Sequence, residues 1–396
     1  MSAELFPDTD AEIASIEPDD LKARIDGGES VFIVDARAAN EFEKWHIDGE
    51  NVRIENVPYF EFIDDEIDES LFEPLPEDEL ITVLCAKGGA SEYIASVLDE
   101  HGYEVEHLEN GMNGWASIYE YVEIDADTDA TVAQYQRPSS GCLAYLIVDG
   151  DEAAVIDPLR AFTDEYVKDA RVMGADLVYA IDTHVHADHI SGIRALAAEA
   201  DAMPVLPEAS VARGVDYDVE FETVADGDEL TVGETTIEVV YTPGHTSGMT
   251  AYKVGNVLFT GDGLFTESVA RPDLEEGDDG APEAAAQLYE TLQTKVLSLD
   301  DETIIAPAHF SDAASPAADG TYTAALGELR ETMGALSMSE DEFVEFILSD
   351  MPPRPANYEE IIATNLGVND ADDDEAFRLE LGPNNCAASQ DALTGD

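Results

Sequence analysis

The segment Thr183–Gly192 reads THVHADHISG and puts His184, His186, Asp188 and His189 within six positions, directly after a run of strand character. Three of the chain's eight histidines fall here, a density that points to metal rather than to a solvated surface. Along an extended segment alternate residues face the same way, so His184 and His186 share one side. The turn into the next helix brings Asp188 and His189 around the other, which makes two adjacent metal positions available. Further ligand types stand at later strand ends: His245 in TPGHTSG, Asp262 in FTGDG and His309 in APAHF. Each follows an apolar run and lies in a turn, where a rigid sheet presents side chains to a shared cleft, and Gly244, Gly261 and Gly263 permit tight backbone beside them.

Around this constellation the pattern divides in two. From about Asp19 to Tyr121 short β-rich runs alternate with helical ones. SVFIVDA (Ser30–Ala36) and ITVLC (Ile81–Cys85) have strand length, and Glu92–Glu100 places Ile94, Val97 and Leu98 on one helical face. Parallel strands buried on both faces fit best. The acidic stretch VEIDADTDAT (Val122–Thr131) has few large apolar side chains and reads as the linker. Beyond it come CLAYLIVD, EAAVIDP, DLVYAIDTH, TTIEVVYTPGH and NVLFTGD, with helices expected around Gly192–Glu199 and Ala284–Val296: two sheets covered by helices. After Ala313 the chain is mostly helical, with EDEFVEFILSD and YEEIIATN flanking the turn MPPRPAN.

At 396 residues the chain exceeds what one hydrophobic core usually organises, and 44% hydrophobic residues are too many for a disordered polyanion. No apolar run reaches membrane-span length. The opening MSAELFPDTDAEIAS carries acid where an export signal needs a basic start, so a cytoplasmic protein is expected, with no membrane partner. Lys plus Arg number 18 against 89 Asp plus Glu, a net charge of −71. Carboxylates spread from Asp8 to Asp396 suit a halophile, because concentrated salt shortens the screening length, and they disfavour nucleic acid. Three scattered cysteines, Cys85, Cys142 and Cys386, form no disulfide framework and fit a reducing compartment. Cys142 falls in a predicted strand, where packing is its expected role, and Cys386 is open to two readings, a free tail thiol or one that approaches the metal cleft.

The order HxHxDH, GHT, TGD and a final His after a strand resembles the metallo-β-lactamase superfamily over Thr131–His309. The resemblance implies an αββα sandwich with His184, His186, Asp188, His189, His245, Asp262 and His309 at the metal-site positions. SGCLAYLIV, TGDGLF followed by VARPDL, NYEEIIATN and GPNNCA resemble persulfide dioxygenases and their rhodanese fusions more closely than the glyoxalase II branch. That likeness implies one Fe(II) per chain on His184, His245 and Asp262. His186, Asp188, His189 and His309 then surround the ligands or, in the alternative, hold a second metal. Arg271 and Asp273 match a family Arg and Asp near the substrate entrance. Two histidines and a carboxylate leave three iron positions open, enough for substrate sulfur and O2 together. The implied reaction takes a low-molecular-weight thiol persulfide, O2 and water to the thiol and sulfite.

Cys85 ends a strand and opens the loop CAKGGAS, with Ser91 beginning the next helix. Loop amides and the positive end of that helix converge on the sulfur and favour thiolate and then an anionic persulfide, with Lys87 adding charge. IVDARAANEFEKWHIDGE, the LCAKGGAS loop and HLENGMNGW resemble a rhodanese domain, which implies that Cys85 is the persulfide-forming cysteine and that Asp35 and Arg37 brace the loop base. Rhodanese loops commonly carry Arg where this chain has Ala90, so the expected donor is a persulfide rather than thiosulfate.

The expected architecture is therefore an α/β rhodanese-like domain over residues 15–122, an αββα sandwich over 131–312 and a helical C-terminal extension over 313–396, compatible with a homo-oligomer. The rival to the oxygenase is a hydrolase with two Zn ions and a bridging hydroxide that cleaves thioesters as glyoxalase II does. A third class is a sulfur carrier whose rhodanese loop only docks partners. The charge gives a direct test. Native compactness concentrates carboxylates that dilute buffer does not screen, so the melting temperature should climb between about 0.1 M and about 2 M KCl, and equal values would sink the halophile reading.

Overall fold

In a computed structural model of the chain, which describes residues 12–63, 67–311, 313–349, 351–382 and 386, the molecule divides after Ile118 into two compact units. Most of the opening MSAELFPDTDAEIAS, and most of GPNNCA, lie outside the described residues.

The first unit is built on five strands, β1 (Ala14–Ile16), β2 (Val31–Asp35), β3 (Val52–Asn56), β4 (Ile81–Leu84) and β5 (Val105–Leu108), in the order β1-β5-β4-β2-β3 and all parallel. Every residue of β2 and β4 is buried, as a parallel sheet covered on both faces requires. The helices are α1 (Pro18–Asp26), α2 (Ala39–Phe42), α3 (Gly89–Glu100) and α4 (Gly111–Trp115). Ile94, Val97 and Leu98 of α3 are buried against Phe32, Val34, Ile81 and Val83 on one face of the sheet. Leu21 of α1 and Met112 of α4 join Ile16, Ile33, Leu84 and Leu108 in a separate cluster.

The second unit holds two sheets. One has seven strands, β6 (Glu120–Ile124), β7 (Thr131–Arg137), β8 (Cys142–Asp149), β9 (Glu152–Ile156), β10 (Asp176–Ile181), β11 (Met203–Pro207) and β12 (Glu222–Val224), in sequence order from one edge to the other. The other has six: β13 (Glu229–Val232), β14 (Thr235–Tyr241), β15 (Thr250–Val254), β16 (Val257–Gly261), β17 (Ile304–Pro307) and β18 (Ala324–Ala325). Alternation sorts their side chains. Leu143, Tyr145 and Ile147 of β8 meet Ile237, Tyr252 and Phe259 between the sheets, while Ala144, Leu146 and Val148 turn outward. Helices α5 (Thr163–Val172), α6 (Ile193–Ala200) and α7 (Glu208–Val211) follow strands of the first sheet, and Tyr166, Ile193 and Leu196 cover its outer face. Helices α8 (Gly277–Thr294), α9 (Leu326–Thr332) and α10 (Glu340–Ser349) cover the second through Leu288, Leu292, Leu329 and Phe343. The result is the expected αββα sandwich. Helices α11 (Tyr358–Asn365) and α12 (Asp373–Leu379) belong to this same compact unit, and no helix among the described residues is long and apolar enough to cross a membrane.

Val122–Thr131 is not simply a linker: Val122, Glu123 and Ile124 complete β6, whose residues pair antiparallel with β7 and send Ile124 into the core between the sheets. The acidic residues that give the stretch its connector character, Asp125, Asp127 and Asp129, follow the strand rather than belong to it.

The turn from β5 into α4 closes on the loop after β4. Gly111 has φ +54°, a Cβ there would stand 2.0 Å from the Cys85 carbonyl oxygen, and the next amide, Met112, donates to that oxygen at 2.8 Å. Gly111→Ala should therefore cost about 2 kcal/mol or more, read as a lower denaturation midpoint of the full chain, and an unchanged midpoint would show that the loop yields freely.

Candidate metal centre

The loop from Asp182 to Ser191 leaves the end of β10 and carries His184, His186, Asp188 and His189, all buried. His245 follows β14, Asp262 follows β16 and His309 follows β17, so all seven sequence-predicted positions meet at strand ends of both sheets. Glycines make the approach possible. At Gly244, with φ +146°, a Cβ would lie 2.4 Å from Leu288 Cα; at Gly261, with φ +53°, it would lie 2.6 Å from Thr183 Oγ1.

Hydrogen bonds fix which ring nitrogens are bare. Thr183 Oγ1 donates to Asp157 Oδ2 at 2.9 Å, so it accepts from Nδ1–H of His184 at 2.9 Å and leaves the His184 Nε2 lone pair open. His245 Nδ1–H donates to the Arg271 carbonyl at 2.8 Å, with the same result. His184 Nε2 and His245 Nε2 stand 3.6 and 3.5 Å from Asp262 Oδ2, and all three atoms are buried without a hydrogen-bond partner. Burial pushes the pKa of both rings down, well below the usual range for His184, which keeps them neutral and able to ligate. This trio fits one metal ion.

The remaining positions are arranged differently. His186 Nε2 donates to Asp157 Oδ1 at 3.1 Å and its Nδ1 is bare; His189 Nδ1 donates to Asp188 Oδ2 at 3.1 Å and its Nε2 is bare. His309 is held at both nitrogens, Nδ1 by Asp262 Oδ1 and Nε2 by Asp188 Oδ2 at 2.6 Å. Burial opposes a charge on this ring, but the Asp188 and Asp262 carboxylates outweigh it and raise its pKa well above the histidine range. The start of β8 holds this segment in place: Leu143 N–H donates to the Ala308 carbonyl at 2.8 Å and Phe310 N–H to that of Gly141 at 2.9 Å.

Two cysteines lie at the centre. Cys142 does pack in the core, but its Sγ is also 3.2 Å from Asp188 Oδ2, so packing is only part of its role. Cys386 groups with Asp188, Asp262 and His309 rather than lying in solvent, and burial, with Asp262 and Asp188 adding to it, pushes its thiol pKa well up. Arg271 and Asp273 are buried and paired, Nε to Oδ1 at 2.7 Å, and Arg354 Nε reaches Asp273 Oδ2 at 2.8 Å. Pro272 between them lines a cavity of about 210 Å³ beside His245, with Tyr241, Thr246, Glu275 and Gln287. Sequence reasoning gave no role to Asp157, Thr183, Asn365 or Glu380. A carboxylate ending the run EAAVIDP was the available signal for the first.

In the other unit Cys85 follows β4 and is buried, with the Gly88 amide donating to its Sγ at 3.1 Å and Ser91 Oγ 3.6 Å away. Gly88 has φ +90° and caps α3, which turns the loop amide toward sulfur. Arg37 grips Asp35 through Nε at 3.0 Å and Nη2 at 2.6 Å, and donates to the Trp45 carbonyl at 2.8 Å, so this buried pair ties the end of β2 to the segment at Trp45.

Residues 138–309 match the metallo-beta-lactamase superfamily and residues 17–118 the rhodanese-like domain. Human mitochondrial persulfide dioxygenase ETHE1 is 28% identical over 241 residues, 59% of this chain and 86% of that protein. The crystal structure of ETHE1 from Myxococcus xanthus superposes with a TM-score of 0.52 at 28% identity, covering 60% of this chain and 98% of that one. The hydroxyacylglutathione hydrolase of Francisella philomiragia is 34% identical over 170 residues, 42% of this chain and 61% of that enzyme. With its two domain matches in chain order, the chain is a rhodanese-like domain followed by a metallo-beta-lactamase superfamily domain, and persulfide dioxygenases are among its homologues.

Proposed function

We propose that the chain is a persulfide dioxygenase coupled to rhodanese sulfur transfer, converting RSSH, O2 and H2O to RSH, sulfite and two protons. The observation that carries this reading is the trio itself: His184 Nε2, His245 Nε2 and Asp262 Oδ2 are buried, bare and turned to one position, two histidines and one carboxylate for one ion. Two histidines and one carboxylate suit Fe(II), and the similarity to the human and Myxococcus proteins named ETHE1 supports the same choice. Bound there, ferrous iron would supply O2 activation and a seat for the substrate sulfur.

The chain's own residues do the rest. Thr183 and the Arg271 carbonyl hold the two rings with Nε2 inward, and His309 anchors Asp262 through Oδ1 so that Oδ2 stays available. The cavity beside His245 admits the thiol persulfide. Arg271 and Asp273 serve substrate binding by holding the wall that carries Pro272. Cys85, cradled by the Gly88 amide, carries sulfur as a persulfide, so Cys85→Ser should abolish sulfurtransferase activity and spare O2 consumption; unchanged thiosulfate formation would remove Cys85 from the mechanism.

A dinuclear zinc thioesterase is the second reading, favoured by the hydroxyacylglutathione hydrolase match and by the bare nitrogens of His186 and His189. Metal identity and stoichiometry in anaerobically purified protein separate the two. The dioxygenase reading expects about one iron per chain, lost together with persulfide-dependent O2 uptake in His184→Ala, His245→Ala or Asp262→Ala. His309→Ala should instead weaken metal retention or turnover by about 10- to 100-fold without emptying the site. Two zinc ions in the wild type falling to one in His309→Ala, with no O2 uptake in either, would overturn the assignment.

A further inference from the structure

The metal-binding loop has no regular secondary structure to satisfy its own backbone, and its polar groups must find partners elsewhere. Several of them are met by two side chains more than 170 residues away. Asn365, the last residue of α11, donates from Nδ2 to the His186 carbonyl at 3.0 Å and to the His189 carbonyl at 2.8 Å, and its Oδ1 accepts from the Ser191 amide at 2.9 Å. Glu380, which caps α12, accepts from the Ile190 amide through Oε1 at 2.7 Å and from Arg137 Nη1 through Oε2 at 2.7 Å. Asn365, Glu380 and Arg137 are all buried, and the Arg137 guanidinium lies between the rings of Phe162 and Phe377, 5.3 Å from each centroid. Ile190 is fully buried with Ile361 of α11 and Ala376 of α12.

We infer that Asn365 and Glu380 are positioning residues of the metal centre: the C-terminal segment clamps residues 186–191 and thereby sets where His186, Asp188 and His189 stand around the ion. The amide of Asn365 is suited to this because it donates twice and accepts once in a fixed plane, matching two carbonyls and one N–H of the same turn. An acid would lose both donors, and an alanine would leave three buried backbone groups without partners. Glu380 extends the clamp to β7, because its second oxygen is held by Arg137 at that strand's end. The inference rests on the metal-centre reading but not on the reaction proposed for it.

Cobalt(II) retention tests it without any oxygen chemistry. The full chain is loaded anaerobically with cobalt(II), and its release to excess EDTA is followed by loss of the cobalt absorption bands, beside thermal melting of the metal-free protein. Asn365→Ala and Asn365→Asp should release cobalt about 10- to 100-fold faster than wild type, and Glu380→Gln, which keeps the acceptor for Ile190 N–H but weakens the hold on Arg137, should fall between. Arg160→Ala is the control, because Arg160 ties the same segment down through the Ala371 carbonyl at 2.9 Å and Asp373 at 2.7 Å without touching the Asn365 or Glu380 side chains. It should release cobalt at about the wild-type rate. Release from Asn365→Asp within about twofold of wild type, or equal acceleration in Arg160→Ala, would overturn the clamp, as would melting of metal-free Asn365→Asp lowered as much as that of the cobalt form. A wild-type chain that retains no cobalt would instead overturn the metal-centre reading and the clamp with it.

Discussion

The carboxylate of Asp157 stands at the end of β9 with φ +52°, a left-handed backbone that aspartate tolerates better than most residues. Its two oxygens accept from the Thr183 amide at 2.7 Å, from Thr183 Oγ1 at 2.9 Å and from His186 Nε2 at 3.1 Å. Through the Thr183 hydroxyl it also decides which nitrogen of His184 is protonated, because a hydroxyl that has given its proton to Asp157 has only lone pairs left for the ring. One buried side chain thus fixes the start of the ligand loop, the tautomer of His184 and the orientation of His186. Arg271 acts alike for His245 with a backbone carbonyl in place of a hydroxyl.

Most of the sandwich was legible because burial repeats with the period of each element. CLAYLIVD became β8 with its two faces in different cores, and Ile94, Val97 and Leu98 fell on the buried side of α3. The metal positions were legible because their residue types are rare and clustered. What stayed hidden is of another kind. β6 was masked by the acidic run that follows it, and Asn365 and Glu380 are ordinary helix-end residues whose partners lie far away in sequence. Cys142 was hidden for the same reason: a cysteine's chemistry is set by neighbours that only the fold supplies, here Asp188.

The two candidate sites are built by opposite means. At Cys85 the nearest donor is a backbone amide set by the loop conformation, and Gly88 with φ +90° is what that conformation requires. At the metal centre nearly every contact is made by side chains, with the His309 ring set between two carboxylates.

The three bare atoms come from different layers: His184 follows β10 of the seven-stranded sheet, whereas His245 and Asp262 follow β14 and β16 of the six-stranded one. An ion held by them would be a cross-link through the sandwich, closing the chain between positions 184, 245 and 262 much as a covalent staple would and removing conformations from the unfolded ensemble. None of the three cysteines is in a disulfide, so no such staple exists elsewhere in the chain. Metal supply would then govern how firmly the two layers are fastened, and a starved chain would be a looser sandwich as well as an inactive one.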